Sequence, residues 1–427
     1  KISEAAQKKA SEVAYVEEHI HEVGEQVGEG VAIARNGASA AANDAKKSAE
    51  AGVAKGLYTA KAAQQQATEV ADLEAHIQKD QQAAATIALV TANDAASKGR
   101  VKVLGAAMHV SHPRVHVIGN SVVDVLVKGG SNRLEGSDSF SSDNVEMISE
   151  PIIPVLGGSG AASAYVLAKL GAQARLYTNL GDDSFGAMLT GWLQDAGVKV
   201  VSSHASATAT HVIAIQGNRR TSSYYRGEKV NWQAASAAPG IGEGDWCLIS
   251  GYGAVEQEDL AEITAVTKTL TACRCLVAFD PSPWFAGKVD RDSMLQLWAT
   301  LDLLTATEEE LLQWVGTKKK KMSSEELAKE CLLLCPRARL VVVKRGAQGA
   351  SWAAPGAESG SLSALSCDAA NSVGAGDTFN GQLVYSLASG LPAAAAVEAA
   401  VERATKAVRS GKGAIGAFEG GQDGRGG

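Results

Sequence analysis

The chain has 427 residues, with 40 Lys and Arg against 47 Asp and Glu and a formal net charge of −7. That length exceeds one ordinary domain and predicts two or more, and a hydrophobic share of 45% supplies a real core. The acidic balance, with no basic stripe, argues against a nucleic-acid partner; no apolar run is long enough to span a bilayer, and no secretory leader is visible. The chain opens on Lys rather than Met, which leaves room for a start or targeting peptide removed ahead of it. The six cysteines, Cys247, Cys273, Cys275, Cys331, Cys335 and Cys367, show no zinc spacing with companion ligands. They read as reduced, mostly buried thiols, which fits the cytoplasm or a reducing organelle lumen.

Residues 1–98 differ from the rest: they hold no Cys, Trp or Pro and are rich in Ala, Glu, Gln and Lys. Val13, Val16, Ile20, Val23 and Val27 recur at three and four, as do Val70, Leu73 and Ile77. This heptad spacing predicts coiled-coil-like helices that bury a narrow seam against a partner. Glycines between the two runs segment the helix. Large apolar residues are too few for this extension to fold alone, so it reads as an arm for oligomerisation or docking into a larger assembly.

Residues 99–114 read as a linker. A short apolar strand then ends at Gly119, and Asp124 follows five residues later. Residues 125–156 mix short apolar stretches with Gly, Ser and Asn, and residues 211–226 read as a hairpin with its turn at Gly217-Asn218. Gly157-Gly158-Ser159-Gly160 precedes a helix through Leu170, and Gly181-Asp182-Asp183-Ser184-Phe185-Gly186 precedes another. From residue 245 the pattern alternates. Strands are expected at 246–249, 276–279, 301–304 and 340–343, and helices near 256–270, 291–300, 308–315 and 323–334. That order predicts an α/β domain with a mostly parallel sheet covered on both faces. Asp280-Pro281 closes one strand at the edge where open α/β sheets bind ligands. The lysines at 318–321 read as a solvated loop. A last long helix is expected over 393–410, followed by Gly413-Ala414 and a Gly-rich tail over 419–427.

The most informative stretch is Asn371-Ser372-Val373-Gly374-Ala375-Gly376-Asp377-Thr378. A turn of small residues at a helix start presents free N–H groups at the positive end of the helix dipole, which is an anion site. A carboxylate on that turn repels an anion; it is better placed to take a proton from a group attacking one. An anion cradle beside a general base is the minimal kit for phosphoryl transfer to a hydroxyl.

This string, with the two glycine motifs before it, resembles the signatures of the ribokinase-like (pfkB) carbohydrate kinases over residues 115–418. The resemblance implies a three-layer αβα domain with a small β-lid, built from segments near 125–156 and 211–226. It implies ATP as phosphoryl donor, magnesium, and a monovalent cation such as potassium as a further candidate. Asp377 would be the catalytic base; Gly374, Ala375 and Gly376 the anion hole; Asp124, Gly157 and Gly158 the substrate contacts. Glu310 would organise magnesium through water, and Lys344, Arg345, Gly346 and Gly349 would lie along the nucleotide. Three positions depart from the pattern: Ala162 and Thr307 stand where the family has Asn, and Asn371 where it has Asp. Asn371 is similar to the pseudouridine-kinase-like members, so a nucleoside acceptor stands beside a free sugar. A weakened, kinase-derived structural subunit docked through residues 1–98 is the other function these departures imply.

Overall fold

A computed structural model of the chain describes residues 112–129, 145, 147–216, 219–235, 240–254, 256–281, 283–315, 322–356, 358–367 and 372–419. The expected helical arm over 1–98, the lysines at 318–321, Asn371, the Gly217-Asn218 turn and residues 130–144 of the expected lid lie outside the described residues.

Strands β1 (Arg114–Ile118), β4 (Gln173–Gly181), β5 (Lys199–Ala205), β8 (Trp246–Ser250), β9 (Leu276–Asp280), β10 (Leu303–Thr307) and β11 (Leu340–Lys344) form a parallel run. With antiparallel β12 (Ala350–Ala354) and β13 (Glu358–Leu362) at one edge, the sheet has the order β13-β12-β11-β10-β9-β8-β1-β4-β5. A second sheet, β3-β2-β6-β7, joins β2 (Val122–Lys128), β3 (Ile153–Gly157), β6 (Ala209–Gln216) and β7 (Arg219–Tyr225). This is the expected lid, and its small core is Leu126, Val155 and Ile213.

The strand period of two divides the large sheet into two cores. Val115, Val117, Trp246, Leu248, Ala278 and Val342 face one way. On that side lie α1 (Ser159–Lys169), α2 (Ser184–Asp195), α7 (Ala375–Ala388) and α8 (Ala393–Ser410), through Val166, Leu189, Leu383 and Val397. Ile118, Cys247, Ile249, Val277, Phe279 and Val341 face the other way. There the cover is α3 (Gln257–Ala272), α4 (Arg291–Trp298), α5 (Glu308–Val315) and α6 (Ser324–Leu334), through Ile263, Leu297, Leu311 and Leu327. Both faces are dry, which is why these strands read as continuous apolar runs. A short helix, α9 (Gly413–Gly416), follows α8. All six cysteines are free thiols, and Cys247, Cys275, Cys331 and Cys335 are buried.

Two element boundaries bear directly on the site. Strand β10 starts two residues later than expected and runs through Thr307, because its ladder to β11 pairs Thr305 with Val342 and Thr307 with Lys344. Helix α7 starts at Ala375, because Gly374 takes the left-handed conformation (φ 75°) and caps it. Asp377 is therefore the third residue of the helix.

At the N-terminal ends of β9 and β10, Asp302 is wholly buried. Its Oδ2 accepts from the Val277 N–H at 3.0 Å and from Arg337 Nη2 at 3.1 Å, and Oδ1 faces Arg339 Nε at 3.4 Å. Removing the carboxylate strands two guanidinium groups beside an apolar core. Asp302→Ala should therefore cost about 3 kcal/mol of stability, read as a lower urea midpoint at unchanged m-value.

Candidate functional site

The parallel strands end together at one edge of the sheet, and the chemistry collects there. β9 delivers Asp280, β10 delivers Thr305 and Thr307, β11 delivers Lys344, and α7 starts above them with Asp377 in its first turn. Gly374 is glycine for two reasons: its φ is positive, and a Cβ there would stand 3.2 Å from the Gly413 Cα. That contact seats Gly413 against the turn. Gly376 faces open space on its side-chain side, where the nearest group is the Lys344 Nζ, 4.0 Å from the point a Cβ would occupy. Ala375, Gly376 and Asp377 open α7; the Ala375 N–H donates to the Ser372 carbonyl at 3.3 Å, which leaves the Gly376 and Asp377 N–H groups as the free-facing donors of the helix start.

Asp377 is half-buried, and its carbonyl accepts from Ser163 Oγ at 3.1 Å, which ties α7 to α1. Burial pushes its carboxyl up to about 7, helped by Asp280 and Asp124 and opposed by Lys344. Glu310 is also raised, by burial and by Asp280, against Lys344 and the Thr307 N–H. For Lys344, burial works against the charged form, but Asp280, Glu310 and Asp377 outweigh it and hold the ammonium above its ordinary range. Tyr252 is pushed up to about 12 by burial and then by Asp377, Glu310 and Asp280.

The expected acceptor contacts come together on the lid side. Asp124 on β2 is buried against Gly157 on β3, so close that a Cβ on Gly157 would stand 2.3 Å from its Oδ2. Across the lid sheet Asp124 pairs in register with His211, and His211 with Tyr224. His211 Nδ1 stands 3.3 Å from Asp124 Oδ1, and its ring meets Tyr224 edge-on. Asn120, in the turn between β1 and β2, donates from Nδ2 to the Tyr224 hydroxyl at 3.3 Å and accepts the Ser159 N–H at 3.1 Å. That last bond starts α1 directly after Gly157 and Gly158.

Among the residues expected along a nucleotide, Arg345 is engaged in its own turn: its N–H donates to the Gly349 carbonyl at 2.8 Å and Nη2 to Gln348 at 3.1 Å. Gly346 and Gly349 bound that turn. Lys344 points the other way, into the site, with Nζ 2.7 Å from Asp280 Oδ1.

Thr307 and Glu310 close a reciprocal cap at the start of α5: the Thr307 N–H donates to Glu310 Oε2 at 2.8 Å, and the Glu310 N–H to Thr307 Oγ1 at 3.3 Å. Thr307 thus performs the capping that an Asn performs. Ala162, in the first turn of α1, is wholly buried in the core. Sequence reading missed Asp280, Thr305, Asn380, Asn120, His211 and Tyr252 as site residues. Asp280 carried a signal, since it ends a strand at the ligand edge. So did Asn380, three residues after Asp377 and hence on the same helix face.

Residues 153–417 match the family model for pfkB family carbohydrate kinases. The chain is 25% identical over 248 residues to a probable chloroplastic fructokinase-6 of Arabidopsis thaliana, a match covering 55% of this chain and 63% of that relative. Among solved structures it resembles a fructokinase double mutant of Vibrio cholerae O395, bound to fructose, ADP and potassium, with TM-score 0.57 and 22% identity over 71% of this chain and 94% of that one. It also resembles the Arabidopsis thaliana ribokinase complexed with ribose and ATP, with TM-score 0.56 and 19% identity over 71% and 95%. The fold is ribokinase-like.

The cap at α5 is directly testable. Thr307→Ala should lower stability by about 1 kcal/mol, and Thr307→Asn should restore it to within a few tenths, both read from urea midpoints.

Proposed function

The chain belongs to the pfkB family of carbohydrate kinases, and on that premise we propose that it transfers the γ-phosphoryl group of ATP to a hydroxyl of a small sugar or sugar-like acceptor. The observation that carries this reading is Asp377, a carboxyl raised to about 7 in the first turn of a glycine-capped helix. A base works best when its pKa lies near the working pH, and a helix start holds anions. One turn therefore offers both proton acceptor and phosphate cradle.

In this reading the acceptor lies between the lid and α7. Asp124 takes its hydroxyl protons as hydrogen bonds, with Gly157 and Gly158 giving the backbone room to approach. Asp377 takes the proton of the attacking hydroxyl as the oxygen–phosphorus bond forms and the bond to ADP breaks. N–H groups of the turn formed by Gly374, Ala375 and Gly376 receive the charge on the phosphoryl oxygens. Lys344 adds its ammonium from the far side of Gly376, and the Gly346–Gly349 turn with Arg345 flanks the nucleotide.

Among the described residues no cluster of three or more His, Cys, Asp or Glu side chains is arranged to hold a metal. Magnesium keeps most of its waters and binds through one or two carboxylates plus substrate phosphates, so the donor set fits a magnesium ion that enters on ATP. Glu310 would meet its waters. When bound, that ion would offset charge on the phosphates. Free, mostly buried thiols accord with a reducing compartment.

A nucleoside acceptor is the second reading. Tyr224 and Tyr252 are 39% and 46% exposed; one is tied to Asn120, and the other feels Asp377. Two tyrosine faces at the pocket offer a base a stacking wall.

ATP consumption with magnesium and potassium, against ketoses, aldoses, ribose and nucleosides including pseudouridine, tests both readings. Turnover on one acceptor class names it. Asp377→Asn should lower kcat by about 1,000-fold with nucleotide binding kept, and retained turnover in that variant would sink the mechanism. Because the base acts deprotonated and its carboxyl is raised to about 7, kcat/KM should fall with decreasing pH through that value. An acid limb near pH 4 instead would exclude Asp377 as the base.

A further inference from the structure

Asp280 belongs to none of the sequence signatures, yet its carboxylate is buried at the ligand edge and divided between two donors. Oδ1 accepts from the Lys344 ammonium at 2.7 Å, and Oδ2 from Asn380 Nδ2 at 2.6 Å. Asn380 is held in turn by Thr305 Oγ1, 3.1 Å from its Oδ1. The network thus joins the ends of β9, β10 and β11 to α7, the helix that carries Asp377. Asn380 lies three residues beyond Asp377, so one face of α7 presents both the base and the amide that grips Asp280.

The side chains of Lys344 and Asp280 are only 12% and 8% exposed. A buried pair of this kind is a weak source of stability, because desolvation offsets much of the attraction. Structural pairing also has no need of this location; the Asp302 network sits at the opposite ends of the strands. What distinguishes the Lys344 pair is where the ammonium ends up, beside the open side of Gly376. Lysine has a long flexible stem, and on its own it would have to be ordered when the phosphate arrives. A buried carboxylate with a second, fixed donor does that ordering beforehand.

We propose that Asp280 is a positioning residue for phosphoryl transfer: with Asn380 it holds the Lys344 ammonium beside Gly376, where that charge meets the phosphoryl group in transit. This rests on the kinase reading above. The charged and titratable groups around Asp377 are Asp280 at the end of β9, Lys344 at the end of β11, Glu310 on α5, Asp124 on β2 and Tyr252 after β8. Lys344 is the cation among them. Asp280 favours the proton on Asp377 and Lys344 opposes it, so charge-removing changes at the two positions move the base in opposite directions. A pair remote from the base, such as Asp302 with Arg337 at the opposite strand ends, would move it in neither direction; the triphosphate preference then reports whether the ammonium is held where the phosphate is met.

The test uses the full chain and two near-isosteric variants, Asp280→Asn and Lys344→Gln. Carbon-13 NMR of Asp-labelled protein follows the Asp377 carboxyl with pH, assigned by its loss in Asp377→Asn. Its midpoint should fall in Asp280→Asn and rise in Lys344→Gln. Calorimetry should show the preference for a non-hydrolysable ATP analogue over ADP reduced about tenfold in both variants. Under saturating ATP, kcat of Asp280→Asn should drop about 100-fold with acceptor KM little changed. An Asp280→Asn protein that is folded by circular dichroism and keeps the wild-type midpoint and triphosphate preference overturns the proposal. Should that variant not fold, Lys344→Gln carries the test alone, and an unmoved midpoint with unmoved preference overturns it equally. A wild-type protein that phosphorylates no acceptor sinks the kinase reading by itself. The titration and the nucleotide affinities then still support or overturn the placement of Lys344 by Asp280.

Discussion

The ammonium of Lys344 keeps three carboxylates tolerable at one buried strand edge. Asp280, Glu310 and Asp377 converge there, and burial pushes Glu310 and Asp377 toward their neutral forms. Lys344 is bonded to the first and opposes the rise of the other two. Asp377, Glu310 and the Tyr252 hydroxyl all hold their protons more tightly than usual, through burial first and the neighbouring carboxylates second. On the proposed kinase reading, an incoming polyphosphate would add negative charge to this field. The anion must therefore be met by groups that carry positive charge without adding a titrating acid, which are backbone N–H dipoles at a helix start, a lysine already oriented, and a cation brought by the ligand.

The parts of this site that were legible in the sequence are those whose signal is local. The glycine-capped turn before Asp377, the paired glycines at 157 and 158, and Asp124 five residues after Gly119 each sit within a few residues of the feature that identifies them. The apolar strands were legible because both faces of the sheet are covered. The network around Lys344 was not, because its members are distant in the chain: Lys344 and Asp280 lie 64 residues apart, Asn380 and Asp280 100, and Thr305 and Asn380 75. They meet only once β9, β10 and β11 are known to be neighbours. His211 was hidden for the same reason, since its contact to Asp124 depends on the parallel pairing of β6 with β2. The end of β10 was misjudged because its last residues are threonines that turn from the core toward the site.

The departures from the family pattern weigh differently once the local structure is known. Asn and Thr are both good N-caps because each offers a side-chain oxygen to an unpaired helix N–H. Thr307 makes that bond and Glu310 returns it, so the substitution keeps the geometry that aims Glu310 into the site. Ala162 is enclosed by the core and leaves no unpaired polar group behind it. Neither change disturbs the Asp377 turn, which is anchored separately through Ser163 and Gly413.

The two carboxylates assigned to the acceptor belong to different sheets. Asp124 sits on the lid, in a row with His211 and Tyr224, whereas Asp377 sits on a helix packed against the large sheet. An acceptor that touches both must bridge lid and body. On the proposed reading its binding energy would be available to hold the lid in place, which would exclude water from the transferred phosphoryl group. The junctions that carry such a load are short and polar. Asp183 caps α2 and also accepts the N–H of Thr208 at 2.8 Å, just ahead of β6, while Asn120 links the start of α1 to Tyr224 on β7. Hydrogen bonds of this kind fix direction yet release at modest cost, so the lid can be both located by the body and opened from it. The glycine motif at 181–186 thus has a physical reason to sit where it does: it joins β4 to α2 and, through Gly181 and Asp183, holds Thr208, where the chain later passes from β5 of the large sheet to β6 of the second.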